Sequence, residues 1–303
     1  MPRGGTPRGQ RPGEGKREFG GGQEKARARE RSRDGVPAES PVLARTGREV
    51  VYGRNGVWEA LRGRRDPHRL WLAEGMREDD RLRAIVAEAE RRGAVVEKIP
   101  RMMLDDALPG VNHQGIALEA DAFAYAEFAA IAAAAGAGPV LVLDHLQDPQ
   151  NFGTLLRTAE AAGVAGVVIP EDRAVAVTPG VVNASAGAVE HLRIATVPNL
   201  PRAIESLKGS GWWVVGLHGG EGSVPLYEAD LPTPAVLVVG AEGSGLGQRV
   251  RSVCDLLVSL PMAGKVASLN AATAGAIALY ELIRRESEAV AGADGREGEQ
   301  AGD

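Results

Sequence analysis

The stretch PVLVLDHLQDPQNFGTLLRTAEAAGVAGVVIP, residues 139–170, contains the strand–helix–strand pattern that decides the fold. Residues 140–143 and 166–169 are short, continuous apolar runs, which are typical of strands covered on both faces. Between them, residues 152–162 have the length and composition of a helix. Such alternation predicts a βαβ unit, and therefore an α/β protein with a parallel sheet.

The same alternation continues towards the C-terminus. Further strands are predicted at 193–197, 212–217, 235–239 and 256–260, and helices at 179–192, 200–208, 247–253 and 270–285. In parallel α/β sheets, ligands bind at the carboxyl ends of the strands. We therefore expect the functional residues in the loops that follow the strands.

A smaller α/β unit precedes this region. Strands are predicted at 50–53, 68–73, 94–99 and 114–119, with helices at 55–61 and 77–92. Residues 123–138 are rich in alanine and read as a linker with some helical tendency. The predicted domains are thus residues 48–122 and residues 139–285, joined by that linker.

Both termini differ in composition from the rest of the 303-residue chain, whose net charge is −5. Residues 1–47 carry 11 Lys and Arg against 6 Asp and Glu, and residues 286–303 carry one Arg against 6 acidic residues. Such segments bury too little apolar surface to fold alone, so we predict a disordered basic arm and a disordered acidic tail. The overall charge alone does not indicate a nucleic-acid partner.

Composition also limits the class of protein. Cys254 is the only cysteine, which excludes an intrachain disulfide and disfavours thiolate metal sites. No apolar run reaches 18 residues, so no membrane span is expected, and the N-terminus lacks the apolar core of a signal peptide. The expectation is a cytoplasmic protein.

Three loops that follow strands carry residues that packing does not require. In the first, NFGTLLR at 151–157, Asn151 is either a helix cap or a functional residue, and Arg157 is either paired with an acid such as Glu160 or directed into a cleft. The second is GAEGSGL at 240–246, and the third is LPMAGKVASLN at 260–270, which contains the possible helix caps Ser268 and Asn270.

Several other chemistries are disfavoured. The second loop lacks the third glycine of a dinucleotide-binding fingerprint, because Gln248 takes its place, and there is no phosphate-binding Gly-Lys-Ser/Thr. The five histidines show no metal-ligand spacing, so no metal site is predicted. Asp144 and Asp148 fit a solvated strand end better than a catalytic pair.

Taken in order, the three loops resemble the motifs of the SpoU/TrmH family of RNA ribose 2′-O-methyltransferases. The segment NASAGA at 183–188 resembles another signature of that family. YGRNGVWEAL at 52–61 and NHQG at 112–115 look like the substrate-binding domain of the branch that methylates a guanosine of 23S ribosomal RNA. Each motif is weak alone, but the ordered set covers about residues 48–285.

The resemblance implies a fold and a set of partners. The catalytic domain would be a parallel sheet whose C-terminal segment forms a trefoil knot, an exception to the rule of unknotted chains. The domain before it would be similar to small ribosomal RNA-binding proteins. The cofactor would be S-adenosylmethionine, the substrate a structured RNA such as 23S ribosomal RNA, and the protein a homodimer.

The resemblance also implies roles for single residues. The predicted cofactor-binding residues are Gly240, Leu260, Met262, Ser268 and Leu269. The predicted catalytic residues are Asn151, Arg157, Glu242, Ser268 and Asn270. A guanidinium stays protonated in proteins, so we expect Arg157 to hold an RNA phosphate or the developing oxyanion rather than to act as a base.

Four alternatives are considered at this stage. The substrate could be transfer RNA, or an antibiotic-resistance site on ribosomal RNA. A non-catalytic RNA-binding protein is disfavoured because all the motif residues are intact. A nicotinamide-dependent oxidoreductase is disfavoured by the broken dinucleotide fingerprint.

Overall fold

The computed structural model describes residues 47–172, 174–266 and 268–300, with side chains described as far as residue 288. The predicted basic arm lies outside these residues except for Gly47, and so do residues 301–303 of the predicted acidic tail. Within the described ranges, every helix is too short or too polar to cross a bilayer.

Residues 48–121 form a four-stranded sheet with three helices. Its elements are β1 (Arg48–Tyr52), α1 (Arg54–Arg62), β2 (Pro67–Ala73), α2 (Asp80–Arg91), β3 (Val95–Ile99), α3 (Arg101–Ala107) and β4 (Ile116–Asp121). The strand order is β1-β4-β2-β3, with β2 and β3 parallel and the other two pairs antiparallel. We call this unit the N-terminal sheet domain.

The second part of the chain is built on a seven-stranded parallel sheet. Its elements are α4 (Phe128–Ala132), β5 (Val140–Asp144), α5 (Pro149–Ala161), β6 (Gly166–Pro170), α6 (Pro179–Ala184), β7 (Ile194–Val197), α7 (Leu200–Gly209), β8 (Trp213–Leu217), β9 (Val224–Pro225), β10 (Ala235–Gly240), α8 (Gln248–Val253), β11 (Leu256–Ser259) and α9 (Ala271–Gln300). The strand order is β7-β6-β5-β10-β8-β11-β9. The predicted α/β class with a parallel sheet is confirmed.

Helices cover both faces of the parallel sheet, as the continuous apolar strands predict. On β5, Leu141 and Leu143 face one buried cluster, while Val140 and Val142 face another. In the register of the sheet, Gly240 lies beside Asp144, and Val239 beside Leu217. The carboxyl ends of β5, β10 and β8 therefore meet at one edge, where the predicted loops begin.

The predicted helix at 179–192 is broken in the structure. Helix α6 ends at Ala184, and a short 3-10 helix follows over Ala188–His191. The break occurs because Ala186 and Gly187 adopt positive φ angles of 52° and 89°. A Cβ at Gly187 would lie 2.6 Å from Glu59 Cβ, so only glycine permits this turn so close to α1.

Two other predictions change at element ends. Helix α2 begins at Asp80 rather than residue 77, because the Asp79 side chain accepts a hydrogen bond from the Leu82 amide and caps it. The predicted disordered tail at 286–303 is wrong as far as Gln300, where α9 ends. An ion pair one turn apart, with Arg284 Nη1 2.5 Å from Glu288 Oε1, supports the continuation of the helix beyond residue 285.

Candidate active site

Helix α5 presents the first motif, and its start differs from the simplest reading of the sequence. Asp148, not Asn151, caps the helix, and its carboxylate accepts hydrogen bonds from the amides of Gln150 and Asn151. Pro149 fills the first helical position, where a missing N–H has no consequence. Asn151 therefore lies in the first turn, 8% exposed, with its side chain available for other contacts.

The glycine of the first motif lets two helices touch. A Cβ at Gly153 would lie only 2.4 Å from Ala184 Cβ and 2.8 Å from the Ser185 backbone nitrogen. Helix α5 thus packs directly against the end of α6. This contact fixes the helix that carries Asn151 and Arg157.

The second motif is a loop that folds back on itself. Ala241 and Gly245 form an isolated antiparallel bridge, and Gly243 and Gly245 have φ angles of 78° and 63°. A Cβ at Gly240 would lie 2.2 Å from the Gly245 carbonyl carbon. The glycines are therefore needed for a turn that leaves Glu242 exposed at its tip.

Asp144 anchors the far end of this loop. Its Oδ2 accepts a hydrogen bond of 2.7 Å from the Gly247 amide, and its Oδ1 lies 2.5 Å from His145 Nδ1. The side chain of Asp144 is 2% exposed. The expectation of a solvated strand end at Asp144 is wrong, because the carboxylate is buried and holds the start of α8.

Asn270, in the third motif, joins the three loops. Its Oδ1 caps α9 by accepting hydrogen bonds from the amides of Ala272 and Thr273. This cap turns the amide nitrogen the other way, where Nδ2 donates to Asn151 Oδ1 at 2.7 Å and to Glu242 Oε1 at 2.6 Å. Asn151 and Glu242, which lie 119 and 28 positions before Asn270, are thereby held with it in one cluster.

The cluster leaves polar groups open to a substrate. Asn151 Oδ1 is occupied by Asn270, so the Asn151 amide group is oriented with its Nδ2 hydrogens pointing away. No acceptor for that nitrogen occurs among the described residues. Glu242 uses only Oε1 in the cluster. One amide donor and one carboxylate oxygen thus remain at its edge.

A cleft of about 340 Å³ lies beside this cluster, and we call it the central cleft. The five predicted cofactor-binding residues all line it: Gly240, Leu260, Met262, Ser268 and Leu269. Glu242 also lines it, whereas Asn151 and Arg157 do not. Ligand pockets typically measure about 300–1,000 Å³, so the volume suits a small organic cofactor.

Sequence reasoning missed one wall of the central cleft. Leu217, His218, Gly219 and Gly220 line it after the end of β8. His218 Nε2 lies 3.1 Å from Nη1 of Arg251, which donates to it from α8. These residues could have been predicted from their place in the sequence. They follow the predicted strand β8, and ligands bind beyond the carboxyl ends of parallel strands.

Arg157 stands apart from the cluster. Its side chain is exposed, six residues after Asn151 on α5. Within residues 47–288, apart from the gaps at 173 and 267, it forms neither a hydrogen bond nor an ion pair, including with Glu160. The described residues thus give no support to a pairing with Glu160, and Arg157 does not line the central cleft either, so its exposed guanidinium is free to meet a ligand.

Two family models match the chain. Residues 138–280 match the SpoU rRNA methylase family, and residues 50–126 match a model described as RNA 2′-O ribose methyltransferase substrate binding. The 23S rRNA (guanosine-2′-O-)-methyltransferase of Pseudomonas syringae pv. tomato is 39% identical over 245 residues, covering 79% of this chain and 96% of that protein. This chain belongs to the SpoU family.

Other relatives agree with this membership. The 23S rRNA (guanosine-2′-O-)-methyltransferase of Shewanella oneidensis is 38% identical, covering 78% of this chain and 97% of that protein. The crystal structure of an AdoMet-bound rRNA methyltransferase from Sinorhizobium meliloti has a TM-score of 0.68 at 27% identity, covering 79% and 88% of the two chains. The predicted class is confirmed: the chain is an S-adenosylmethionine-dependent RNA ribose 2′-O-methyltransferase.

Proposed function

We propose that this enzyme methylates the ribose 2′-hydroxyl of a guanosine in 23S ribosomal RNA. The observation that carries the site assignment is the Asn270 side chain, which binds Asn151 and Glu242 at once beside the central cleft. Three motif loops from distant parts of the sequence therefore act as one unit. The two related 23S rRNA enzymes support the substrate.

The central cleft fits the cofactor. Its apolar walls, including Leu217, Val239 and Leu269, suit a flat aromatic base, and the folded loop from Gly240 to Gly245 offers backbone polar groups. Bound S-adenosylmethionine supplies a methyl group on a positively charged sulfur. Glu242 gives this part of the cleft a negative charge that complements the sulfonium.

The protein contributes alignment at the reacting oxygen. The Asn151 amide nitrogen and the free Glu242 oxygen lie at the edge of the cluster beside the cleft, where they can orient the ribose hydroxyls. Such alignment of reacting groups contributes several kcal/mol to catalysis. Ser268, exposed in the third loop, serves the same positioning role.

Arg157 stabilises charge in this proposal. Its exposed guanidinium binds an RNA phosphate or the developing oxyanion with its fork of donors. As the O2′–methyl bond forms and the bond from the methyl group to the cofactor sulfur breaks, the cofactor would leave as a neutral thioether and the hydroxyl proton would pass to a phosphate oxygen or to water. Arg157→Lys keeps the charge and loses the fork, so near-normal turnover of that variant would contradict this role.

The family resemblance carries further proposals about architecture. We propose a trefoil knot in the C-terminal segment, supported by the path of the chain after β11. That path crosses back, so that a Cβ at Gly275 would lie 3.0 Å from Leu155 and 3.2 Å from Val239. Stretching the domain from its ends tests this, since a knotted chain extends less than its residue count allows.

A homodimer is proposed on similar grounds. Tyr227 and Tyr280 are 52% and 51% exposed, and Arg285 of α9 donates to the Tyr227 carbonyl at 3.1 Å. Tyr227 thus lies beside α9, the helix that carries Tyr280, and exposed aromatic groups suit a protein interface. Sedimentation of the intact protein measures its oligomeric state.

The domain bounds 48–122 and 139–285 and a cytoplasmic location also remain proposals.

The decisive experiment compares RNA substrates. Transfer of tritiated methyl from S-adenosylmethionine is measured on unmodified 23S ribosomal RNA and on transfer RNA, with Arg157→Ala as the control. Label in 23S RNA that the variant fails to incorporate is expected. Label in transfer RNA alone would overturn the substrate and keep the chemistry, and no label in either would contradict the proposed function.

A further inference from the structure

The N-terminal sheet domain packs on one segment of the catalytic domain, residues 182–192. His191 Nε2 lies 2.8 Å from Glu59 Oε2. Arg64 Nη2 donates to the Leu192 carbonyl at 2.8 Å. We call this contact the domain junction.

A buried ion pair lies at the centre of the domain junction. Arg65 Nε donates to Glu190 Oε2 at 2.9 Å, and the two side chains are 3% and 1% exposed. Arg65 is held by Glu49 and the Asp121 carbonyl of its own domain, the latter at 3.3 Å, and by the Phe123 ring of the following segment at 5.2 Å. Its Nε is thus presented to Glu190 at a fixed angle.

A contribution to the stability of the fold does not explain why the Arg65–Glu190 pair is present. Arg65 Nη2 and Glu190 Oε1 are buried without a hydrogen-bond partner among the described residues. Burial also raises the pKa of Glu190, which means that its charged form is costly despite Arg65. Apolar side chains of similar volume often replace such pairs with no loss of stability, whereas the pair can specify a single arrangement.

The segment at the domain junction also supports the catalytic helix. Val182 is in contact range of Gly56 in α1, and Gly63 closely approaches Glu190. On its other side, Ala184 meets Gly153 of α5, at the spacing that excludes a Cβ. A continuous packed path therefore runs from α1 through residues 182–190 to the helix of Asn151 and Arg157.

We propose that Arg65 and Glu190 are positioning residues, which hold the RNA-binding domain in one orientation so that bound RNA reaches Arg157 and Asn151. The inference rests on the proposed function, because it needs an RNA that both domains touch. The ion pair acts only through the domain junction, since its side chains are 3% and 1% exposed and are too buried to bind the RNA directly.

The main test uses a double variant that should keep its fold. Arg65→Met with Glu190→Leu removes both charges and retains volume. We expect kcat/KM for unmodified 23S ribosomal RNA to fall roughly 10- to 100-fold, as for a small misplacement of reacting groups. The calorimetric Kd for S-adenosylmethionine should stay unchanged, which a general loss of folding would not allow.

Two single changes at Glu190 and one control refine the test. Glu190→Gln can still accept from Arg65 Nε and should retain most activity, whereas Glu190→Ala should lose it. Arg91→Ala removes the same charge type from α2, where Arg91 pairs with Glu88 on its own helix. An equal loss in Arg91→Ala would mean that RNA responds to net charge, and would overturn the inference.

Hydrogen exchange provides a readout that needs no RNA. In the double variant, the amides of residues 187–192 should exchange faster, while those of the central strand β10 stay protected. Unchanged exchange together with wild-type kcat/KM would overturn the inference. If the wild type methylates no RNA, the proposed function fails, and faster exchange alone would still establish that the ion pair fixes the junction.

Discussion

Asn270 allows the proposed site to be tested with a pair of substitutions that separate its two roles. Its Oδ1 caps α9, and its Nδ2 donates to Asn151 and Glu242. Asn270→Ala removes both functions. Asn270→Asp keeps an acceptor for the cap and removes both donors, while placing a carboxylate against Glu242.

The expected magnitudes follow from these contacts. Loss of an Asn cap costs about 1 kcal/mol, and leaving the buried Asn151 oxygen unpaired adds about 1–3 kcal/mol. Asn270→Ala should therefore be about 2–4 kcal/mol less stable than the wild type, and Asn270→Asp should recover about 1 kcal/mol of that loss through the retained cap. Both should methylate RNA roughly 100-fold more slowly, because Asn151 loses its orientation.

Denaturant unfolding and single-turnover methyl transfer measure the two effects separately. Asn199→Ala is a matched control, because Asn199 caps α7 in the same way by accepting from the Arg202 amide at 3.0 Å. It should lose about 1 kcal/mol and no activity. An Asn270→Asp protein with wild-type turnover would refute the donor role. If Asn199→Ala lost as much activity as the Asn270 variants, lower stability alone would explain the slower methyl transfer.

Two further substitutions and one labelling experiment test other parts of the protein. Gly153→Ala should be destabilised by about 1–2 kcal/mol in denaturant unfolding and transfer methyl more slowly, since its Cβ collides with Ala184 and better helix propensity offsets only part of the cost; a stabilised variant would contradict this packing. His218→Ala should bind S-adenosylhomocysteine about 3- to 10-fold more weakly by calorimetry, because Nε2 accepts from Arg251 and Nδ1–H remains for the cofactor; an unchanged Kd would exclude that contact. Burial raises the pKa of Cys254 to about 12, so the native thiol should resist a disulfide reagent at pH 8 and react once unfolded; rapid native labelling would show an open site.

The parallel sheet was predictable because its signal is local. Most strands from β5 to β8 are continuous apolar runs, although β7 contains Thr196, and each is followed within a few residues by a turn or a cap. Short elements were missed for the opposite reason. The two residues of β9 and the seven of α3 are too few to show a period.

The broken helix at 179–192 shows where local reasoning fails. Its composition suits a continuous helix, yet Gly187 lies against Glu59, which is 128 residues earlier in the chain. A contact with another domain therefore decides the local backbone, and helix propensity is too weak to oppose it. The glycine was visible in the sequence, but its neighbour was not.

The site was predicted residue by residue from its motifs, but the reason for each residue was not. In the sequence, Asn151 was equally consistent with a helix cap. In the structure Asp148 is the cap, because Pro149 takes the first helical position, and Asn151 is therefore free to bind Asn270. Asp144 was dismissed as solvated, because nothing local places the Gly247 amide, 103 residues later, above its carboxylate. Asp144, which lies outside the motifs, thus resembles the motif residue Asn151 physically. Both are polar groups whose hydrogen-bond partners come from distant loops at the same edge of the sheet. Substitution of Asp144 should accordingly impair the second loop as much as substitution within it.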